Sequence, residues 1–404
     1  MAEVQSEREL APTLTRAGVE QIQAALQEAD LDGWLLYEFH GQNAISQRLL
    51  GVEWSSRRGF ALIPARGEPR ALIHAIEASS WKQWPWDTRS YSGWKELEGG
   101  LRELLDGCQT VAMETSPGSA VPAIDRVPGG ILDLVRSAGP EVVSSGDLVS
   151  LFHSVWTPRQ REIHTGTAAT VARVAREAMD RAAQAATEGE PLREGEVARW
   201  ILHRFGQLGL HHEQGCIVAI GPTASDPHYA PAGDGEAIVS GQLLLVDLWA
   251  KPGLDDVPAD QTWMGFLGEQ VPLRIQRLWE AVRDARDAAL TFLEEGFQAG
   301  REVRGFEVDD ACRAVIEARG YGQWFTHRTG HSIDRELHGT GPNLDHLESQ
   351  DVRRLLPGVG FSVEPGIYIP GEVGIRTEVN VFWGSAGPEV TTPGRQGEIF
   401  LLPG

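Results

Sequence analysis

The sequence predicts two parts, an α/β first part followed by an α+β second part. Three observations carry this. From residue 15 to about 150, short apolar strands alternate with helical patterns, which is the signature of a parallel or mixed sheet covered by helices. At Thr157-Pro158 the pattern changes to a long Ala-rich helix. Beyond it, helices interleave with strand pairs that read as antiparallel hairpins. The boundary falls near 155, giving domains 1–155 and 156–404.

In the first part, Val19, Ile22, Ala25 and Leu26 recur at helical spacing across 15–30. GWLLYEF then reads as a buried strand, and RGFALIPARGEPRALIH as two strands around a Gly-containing turn. VAMET and VVSS are further strands, and WKELEGGLRELLDG is a helix. In the second part, Thr157 is a good N-cap and Pro158 a good first helical residue. Further helices are expected over about 194–208, 272–295 and 307–319. Strands are expected at CIVAI, LLLVDLW, QTWMGFLG, FSVEPGIYI and VGIRTEVNVFW.

Composition narrows the partners. The net charge is −21, with 57 acidic against 36 basic residues, so neither a nucleic acid nor an anionic membrane surface finds a basic face. The longest apolar runs are strand-sized, far short of the ~20 residues a membrane span needs. MAEVQSEREL has no apolar core of the kind a leader needs. Three scattered cysteines, Cys108, Cys216 and Cys312, form no CxxC pair, which fits a reducing cytoplasm. Five of the 13 tryptophans fall between Trp54 and Trp94, read as packing residues.

The chemistry is carried by acids. Asp247 lies in LLLVDLW and Asp260 opens the next strand after a turn containing Pro252-Gly253. Glu364 and Glu378 lie in FSVEPGIYI and VGIRTEVNVFW, separated by Pro370-Gly371. On an unbroken strand, Arg376, Glu378 and Asn380 share one face. Four buried carboxylates repel one another unless they share protons or hold cations. Paired metals about 3.5–4 Å apart satisfy such a set. Histidine supplies a further ligand: THRTGHSIDRELHG packs His327, His331 and His338 into fourteen residues of a chain with only 12 histidines. Ser332, Ile333 and Asp334 are expected to form a turn that brings His331 and His338 to one cavity. His228, in SDPHYAP, is expected at the cavity rim.

These stretches resemble the pita-bread metallopeptidases: Xaa-Pro aminopeptidase (aminopeptidase P), prolidase and methionine aminopeptidase. LVDLW, ADQTW, TGHSI, SVEPGIY and GIRTEVNV match the family's ligand order, which implies Asp247, Asp260, His331, Glu364 and Glu378 as ligands. The resemblance covers about 160–404 and implies a pita-bread (creatinase/aminopeptidase-like) domain. The first 150 residues resemble the smaller α/β creatinase-type N-terminal domain of the creatinase, prolidase and aminopeptidase P branch. It further implies two divalent metal ions, manganese first, with cobalt, zinc or iron as alternatives. A metal-bridging hydroxide would attack the substrate. Asp247 would bind one metal, Asp260 and Glu378 would bridge, and His331 and Glu364 would complete the other. His338 would meet the substrate carbonyl and His228 would bond near the scissile residue. Glu364 would shuttle a proton, and His327 and Arg376 would line the pocket or brace the ligands.

The implied activity is an exopeptidase cleaving Xaa-Pro bonds of a peptide substrate, of aminopeptidase P or prolidase type, in a cytoplasmic homodimer. The alternatives are a C-terminal carboxypeptidase variant of the fold, a creatinase-like hydrolase without metal, and a protein-binding module. A substrate carboxylate would need a basic group, with Arg301, Arg304, Arg328 and Arg335 as candidates. The chain departs from the family pattern at several points. The Asp247–Asp260 turn is enlarged, Trp263 replaces an Arg, Ser332-Ile333-Asp334 replaces Gly-Ile-Gly, and Gly339 stands where an acid is common. Asp334 is expected to add a charge near the site. These departures bear on substrate choice rather than on ligand count.

Overall fold

A computed structural model describes residues 14–403 apart from Glu53 and Gln214. The opening stretch MAEVQSEREL lies outside the described residues. Contacts separate the chain into two units, one running to Val155 and the other starting at Trp156.

The first unit comprises α1 (Arg16–Glu28), β1 (Gly33–Glu38), α2 (Ala44–Leu50), β2 (Gly59–Pro64), β3 (Arg70–His74), β4 (Asp87–Tyr91), α3 (Trp94–Leu104), β5 (Thr110–Met113), α4 (Gly129–Ser137), β6 (Glu141–Ser144) and α5 (Gly146–Phe152). Its mixed sheet runs β4-β3-β2-β1-β5-β6. β1 pairs antiparallel with β2 and parallel with β5. Trp34 and Leu36 of β1 pack on one face with Ile22, Ile45 and Val149 from α1, α2 and α5. Leu35 and Tyr37 pack on the other with Leu97, Leu101 and Val135 from α3 and α4. Both faces of the strand are covered, which is why GWLLYEF reads as an unbroken apolar run. Of the clustered tryptophans, Trp81 and Trp84 are buried, whereas Trp54 and Trp94 are exposed.

The second unit comprises α6 (Pro158–Thr187), α7 (Glu194–Gln207), β7 (Ile217–Ile220), β8 (Leu243–Ala250), β9 (Ala259–Leu267), α8 (Leu273–Gln298), α9 (Gly305–Ala318), β10 (Ser332–Ile333), β11 (Gly360–Val363), β12 (Gly366–Ile369), β13 (Val373–Arg376), β14 (Val379–Gly384), β15 (Gly387–Val390) and β16 (Phe400–Leu402). The start of α6 is fixed by a reciprocal cap. The Gln160 amide donates to the Thr157 hydroxyl at 3.2 Å, and the Thr157 amide donates to Gln160 Oε1 at 2.9 Å. Val171, Ala175, Ala178 and Ala182 bury one stripe of α6 at helical spacing.

Strands β16-β9-β8-β7 form one sheet, β10-β11-β14-β15 a second, and β12-β13 a two-stranded ribbon. Alternation splits β8 and β9 between two cores. Leu244, Val246, Leu248 and Trp263 join α6 and α7. Leu243, Leu245, Met264 and Phe266 face the other way, with α8, α9 and β11–β14. The candidate site lies on this second face. Among the described residues, no helix is long and apolar enough to cross a membrane.

Candidate metal centre

β8 and β9 pair antiparallel with Asp247 opposite Thr262 and Trp249 opposite Asp260. The two Asp residues therefore sit diagonally on one face rather than directly opposite. Both are buried, at 6% and 5% exposure. The same alternation turns Trp263 away from the site. Its indole stacks on Phe400 at 5.8 Å and donates to Gln261 Oε1 at 3.0 Å. The departure at this position therefore belongs to the α6 side, not to the site.

Glu364 and Glu378 arrive differently from the sequence expectation. FSVEPGIYI is not one strand: it breaks at Glu364-Pro365 into β11 and β12. VGIRTEVNVFW likewise breaks at Thr377-Glu378 into β13 and β14. The expected Pro370-Gly371 turn does join β12 to β13, with Gly371 at φ 70°, a conformation glycine adopts at low cost. Register pairs Val363 with Val379 and Gly366 with Arg376, so both Glu residues occupy the same interruption of paired strands. Arg376, Glu378 and Asn380 still converge, now from two strands. Thr262 Oγ1 donates to Glu378 Oε2 at 2.9 Å, and the Asp260 amide donates to Asn380 Oδ1 at 2.8 Å.

His331 enters on the second sheet. A Cβ on Gly330 would come 1.9 Å from the Ser362 carbonyl oxygen, so only glycine permits this approach. Ser332 and Ile333 are strand β10, paired with β11. The turn expected over 332–334 instead follows it, closed by the Gly339 amide donating to the Ser332 carbonyl at 2.7 Å. His331 Nδ1 lies 3.1 Å from the Ser332 carbonyl, so Nδ1 carries the proton in the neutral ring and Nε2 presents its lone pair. Nε2 lies 3.5 Å from Asp260 Oδ2 and 3.3 Å from Glu364 Oε1. Ser362 steadies both, accepting from the His331 amide and donating to Glu364 Oε1, each at 2.9 Å.

Asp334 does not add charge to the site. It is 2% exposed, and its carboxylate accepts from the Glu336 amide at 2.8 Å and the Thr340 amide at 2.9 Å. It folds its own turn. Asp309 of α9 secures the start of the loop, accepting from the Thr329 amide at 3.0 Å and the His346 amide at 2.9 Å.

A polar chain runs behind the acids. Arg376 donates to Asp247 Oδ2, to Thr262 Oγ1 at 2.9 Å and to the Tyr368 hydroxyl at 3.1 Å. Tyr368 in turn donates to His327 Nε2 at 2.8 Å, while His327 Nδ1 faces the Arg328 carbonyl at 2.7 Å. His327 thus ends a bracing chain rather than joining the acids. His338 is exposed, with its ring edge-on to His331 at 4.4 Å. His228 is exposed on its loop, its amide donating to Asp226 Oδ1 at 3.0 Å, and it is near enough to act on His338. Among the four arginines considered above, Arg301 pairs with Glu307, Arg304 with Glu302 and Arg335 with Asp255. Arg328 lies 4.0 Å from Glu348, and among the four it is the one that acts electrostatically on both His331 and His338.

The electrostatics are those of an anionic pit. Burial raises Asp247 to about 7, opposed by Arg376 and reinforced by Asp260 and Glu364. Burial also raises Glu378 well above the carboxylate range, reinforced by Asp260, Glu364 and Asp247. Burial alone would raise Glu364, but His331, His327 and Arg376 outweigh it and hold it low. Burial would depress His331, yet Asp260 and Glu364 raise it. His338, although exposed at its rim, is pushed down to about 4 by desolvation against the surrounding protein, then by His331, Arg328 and His228. Cys216 is pushed up to about 12 by burial and Asp247, which leaves no thiolate for nucleophilic work.

Two oxygens test the fit of a cation. Asp247 Oδ1 and Glu378 Oε1 are buried without a hydrogen-bond partner, which is costly unless something else satisfies them. Asp260, His331 and Glu378 each offer a ligand atom, all within 4.8 Å of one another. Hard carboxylate oxygens with one imidazole suit divalent cations of the manganese, iron, cobalt or zinc kind. The residues fit, and the fold and site together define the divalent-metal class of centre.

Comparison with known proteins carries this one step further. The model of Metallopeptidase family M24 matches residues 168–383, and the chain belongs to that family. It is 34% identical over 174 residues to the Xaa-Pro dipeptidase of Lactobacillus helveticus, covering 43% of each chain. It is 32% identical over 185 residues to an uncharacterized peptidase of Schizosaccharomyces pombe, covering 46% of this chain and 39% of that one. The matches thus span less than half the length of these relatives. Among solved structures, the dipeptidase PepE of Mycobacterium ulcerans superposes with a TM-score of 0.71 at 23% identity, covering 96% of this chain and 97% of that one. The Xaa-Pro dipeptidase of Bacillus anthracis gives 0.61 at 23%, covering 95% and 99%. These likenesses establish the two-domain pita-bread fold. Thr262, Ser362 and Tyr368 are supporting residues that the sequence reading does not single out. Tyr368 stands inside the quoted EPGIY stretch, which is the signal that could have found it.

Proposed function

We propose that the protein is a metal-dependent exopeptidase that hydrolyses Xaa-Pro peptides, acting as a cytoplasmic homodimer. The observation that carries this reading is the set of four acids and one imidazole in which Asp247 Oδ1 and Glu378 Oε1 are buried without a hydrogen-bond partner. Asp247, Asp260, His331, Glu364 and Glu378 would hold two divalent cations, manganese first. Bound cations supply Lewis acidity, lowering the pKa of water and stabilising charge on an attacked carbonyl.

The chain's own groups do the rest. Glu364 Oε1 is held by Ser362, which leaves the carboxylate placed to take a proton from the attacking water and return it to the leaving amine. His338 is neutral at working pH and offers an N–H donor to the substrate carbonyl. His228 bonds to the substrate at the rim. Arg376 favours the ionised form of Asp247 against burial and orients it, and His327 fixes the Tyr368 hydroxyl that Arg376 uses. The name of the Lactobacillus helveticus relative supports the dipeptidase form.

The test is to incubate metal-stripped protein, with and without Mn²⁺, with Ala-Pro, Ala-Pro-Ala-Ala and an N-blocked peptide ending in Pro-Xaa, reading products by mass spectrometry. Mn-dependent cleavage of Ala-Pro alone gives a dipeptidase. Release of Ala from the longer peptide gives an aminopeptidase, and trimming of the blocked peptide a carboxypeptidase. No cleavage of any peptide with any metal overturns the reading.

A further inference from the structure

The enlarged turn between β8 and β9 carries a buried lysine. Lys251 is only 5% exposed. Its ammonium donates to the Arg335 carbonyl at 2.6 Å and to the Leu254 carbonyl at 3.4 Å, and it lies 3.2 Å from Glu213. The Arg335 carbonyl stands three residues before His338, in the loop that leaves β10. Arg335 reaches back to the same turn, donating to Asp255 Oδ1 at 3.2 Å. A small apolar cluster also packs Val257 of the turn with Ile333 of β10, the strand that the loop leaves. The turn and the His338 loop are thus tied to each other at Arg335, through its carbonyl and its side chain.

Where the turn and the loop meet the 211–213 segment lies a small cavity of about 10 Å³, lined by His211, His212 and Glu213 as well as Trp249, Lys251 and Leu337. That is room for about one water. Trp249 pairs across the sheet with Asp260, which puts its side chain on the face of the sheet that carries that acid, and Leu337 adjoins His338 in the chain. His212 Nδ1 is buried there without a partner.

We propose that Lys251 is a specificity-determining residue, whose tie to the Arg335 carbonyl fixes the His338 loop and keeps the Trp249–Leu337 cavity too small for a large substrate side chain. This rests on the Xaa-Pro reading above, in which proline occupies one flank of the scissile bond and Xaa is the variable one. The enzyme then favours small Xaa, glycine or alanine, over leucine or phenylalanine. A lysine is well suited to the task, because its long apolar stem fills the cavity end while its head is satisfied by carbonyls.

The experiment compares the Mn-loaded wild type with Lys251→Ala, Lys251→Arg and Asp255→Ala, after metal content and folding have been checked. kcat and KM are measured on Gly-Pro, Ala-Pro, Leu-Pro and Phe-Pro, and the His338 ring is followed by imidazole NMR, assigned by its loss in His338→Gln. In Lys251→Ala the kcat/KM ratio of Leu-Pro to Gly-Pro rises at least tenfold and the His338 signal shifts. Lys251→Arg, which keeps the donor, stays within threefold of the wild-type ratio. Asp255→Ala, at an exposed position, moves the ratio the same way by a smaller factor. An unchanged ratio in folded, metal-loaded Lys251→Ala overturns the proposal. Should that variant not fold, an unchanged ratio in Asp255→Ala overturns it. If the wild type cleaves none of these peptides, the Xaa-Pro reading falls by itself. The His338 signal then decides the tie: a shift in Lys251→Ala supports it and an unmoved signal overturns it.

Discussion

Replacing Arg376 by Met would test whether the acids of the pit await a cation. Arg376 is 5% exposed and bonds Asp247, Thr262 and Tyr368. Burial pulls its pKa down, but Tyr368, Asp247, Glu364 and Glu378 together raise it. Removing one partner of a buried ion pair costs about 3–5 kcal/mol, since the other charge stays buried alone. For a unit of this size, ~2–4 °C per kcal/mol makes the metal-free melting temperature fall by roughly 6–20 °C. The loss should be largely specific to the metal-free state. A cation that binds only the folded form adds about 4 kcal/mol at a thousandfold excess over its Kd, and the acids released from Arg376 accept it more readily. The assay is calorimetry at pH 8, where His331 is less able to act as a substitute cation, with chelator and then with Mn²⁺. The metal-induced rise in melting temperature should be larger in Arg376→Met than in the wild type. An equal or smaller rise, or a metal-free variant as stable as the wild type, would refute the reasoning.

Other outcomes follow from the same geometry. Asp247 has a folded-state pKa raised to about 7, so its contribution to metal-free stability is present at low pH and lost as pH rises toward 7. Metal-free Asp247→Asn should therefore gain on the wild type between pH 5 and pH 7, by up to about 1.4 kcal/mol per pH unit; urea midpoints would show it, and a gap that shrinks with rising pH would refute it. Ser362→Ala removes the hydroxyl that joins His331 to Glu364 and should weaken metal binding about 10–100-fold by titration calorimetry, against an unchanged Kd if Ser362 is only a strand residue. His331→Ala should lose metal and activity together, whereas His338→Ala should lose rate and keep its metal when content is read by plasma mass spectrometry. Loss of metal in His338→Ala would reverse the two assignments.

Much of the scaffold was legible because local chemistry and tertiary packing agree. The Thr157-Pro158 start, the helix near 194–208 and the unbroken apolar strand holding Asp247 each have a local cause. The short helices α2, α4 and α5 escaped notice. Seven to nine residues give barely two turns, too few for a period to declare itself, and α4 opens on two glycines. The broken strands were a misreading of available signals. Pro365 cannot donate to a ladder, and it stands at the break after Glu364. The orientation of Trp263 followed from parity alone: if Thr262 shares a face with Asp260, its neighbour cannot. Lys251 and Asp334 were not readable, because their partners depend on how a turn and a loop far apart in the chain come together. A charged residue near a site in sequence says little about whether its charge reaches the site.

Trp156, the residue that opens the second unit, is also its keystone. Its indole donates to the Ile333 carbonyl at 2.7 Å, its amide donates to the Gly358 carbonyl at 2.8 Å, and its ring fills the space that a Cβ on Gly360 would need. It lies against His164 and Phe382. The seam between the units is therefore not a neutral place to cut. A fragment beginning at Thr157 would keep every acid and imidazole of the centre, yet lose a buried tryptophan, a truncation of the kind that costs about 3–5 kcal/mol in a core. A fragment beginning one residue earlier would retain it. Recombination that exchanges first units between relatives meets the same condition: the crossover point has to leave this one indole with the half that it wedges.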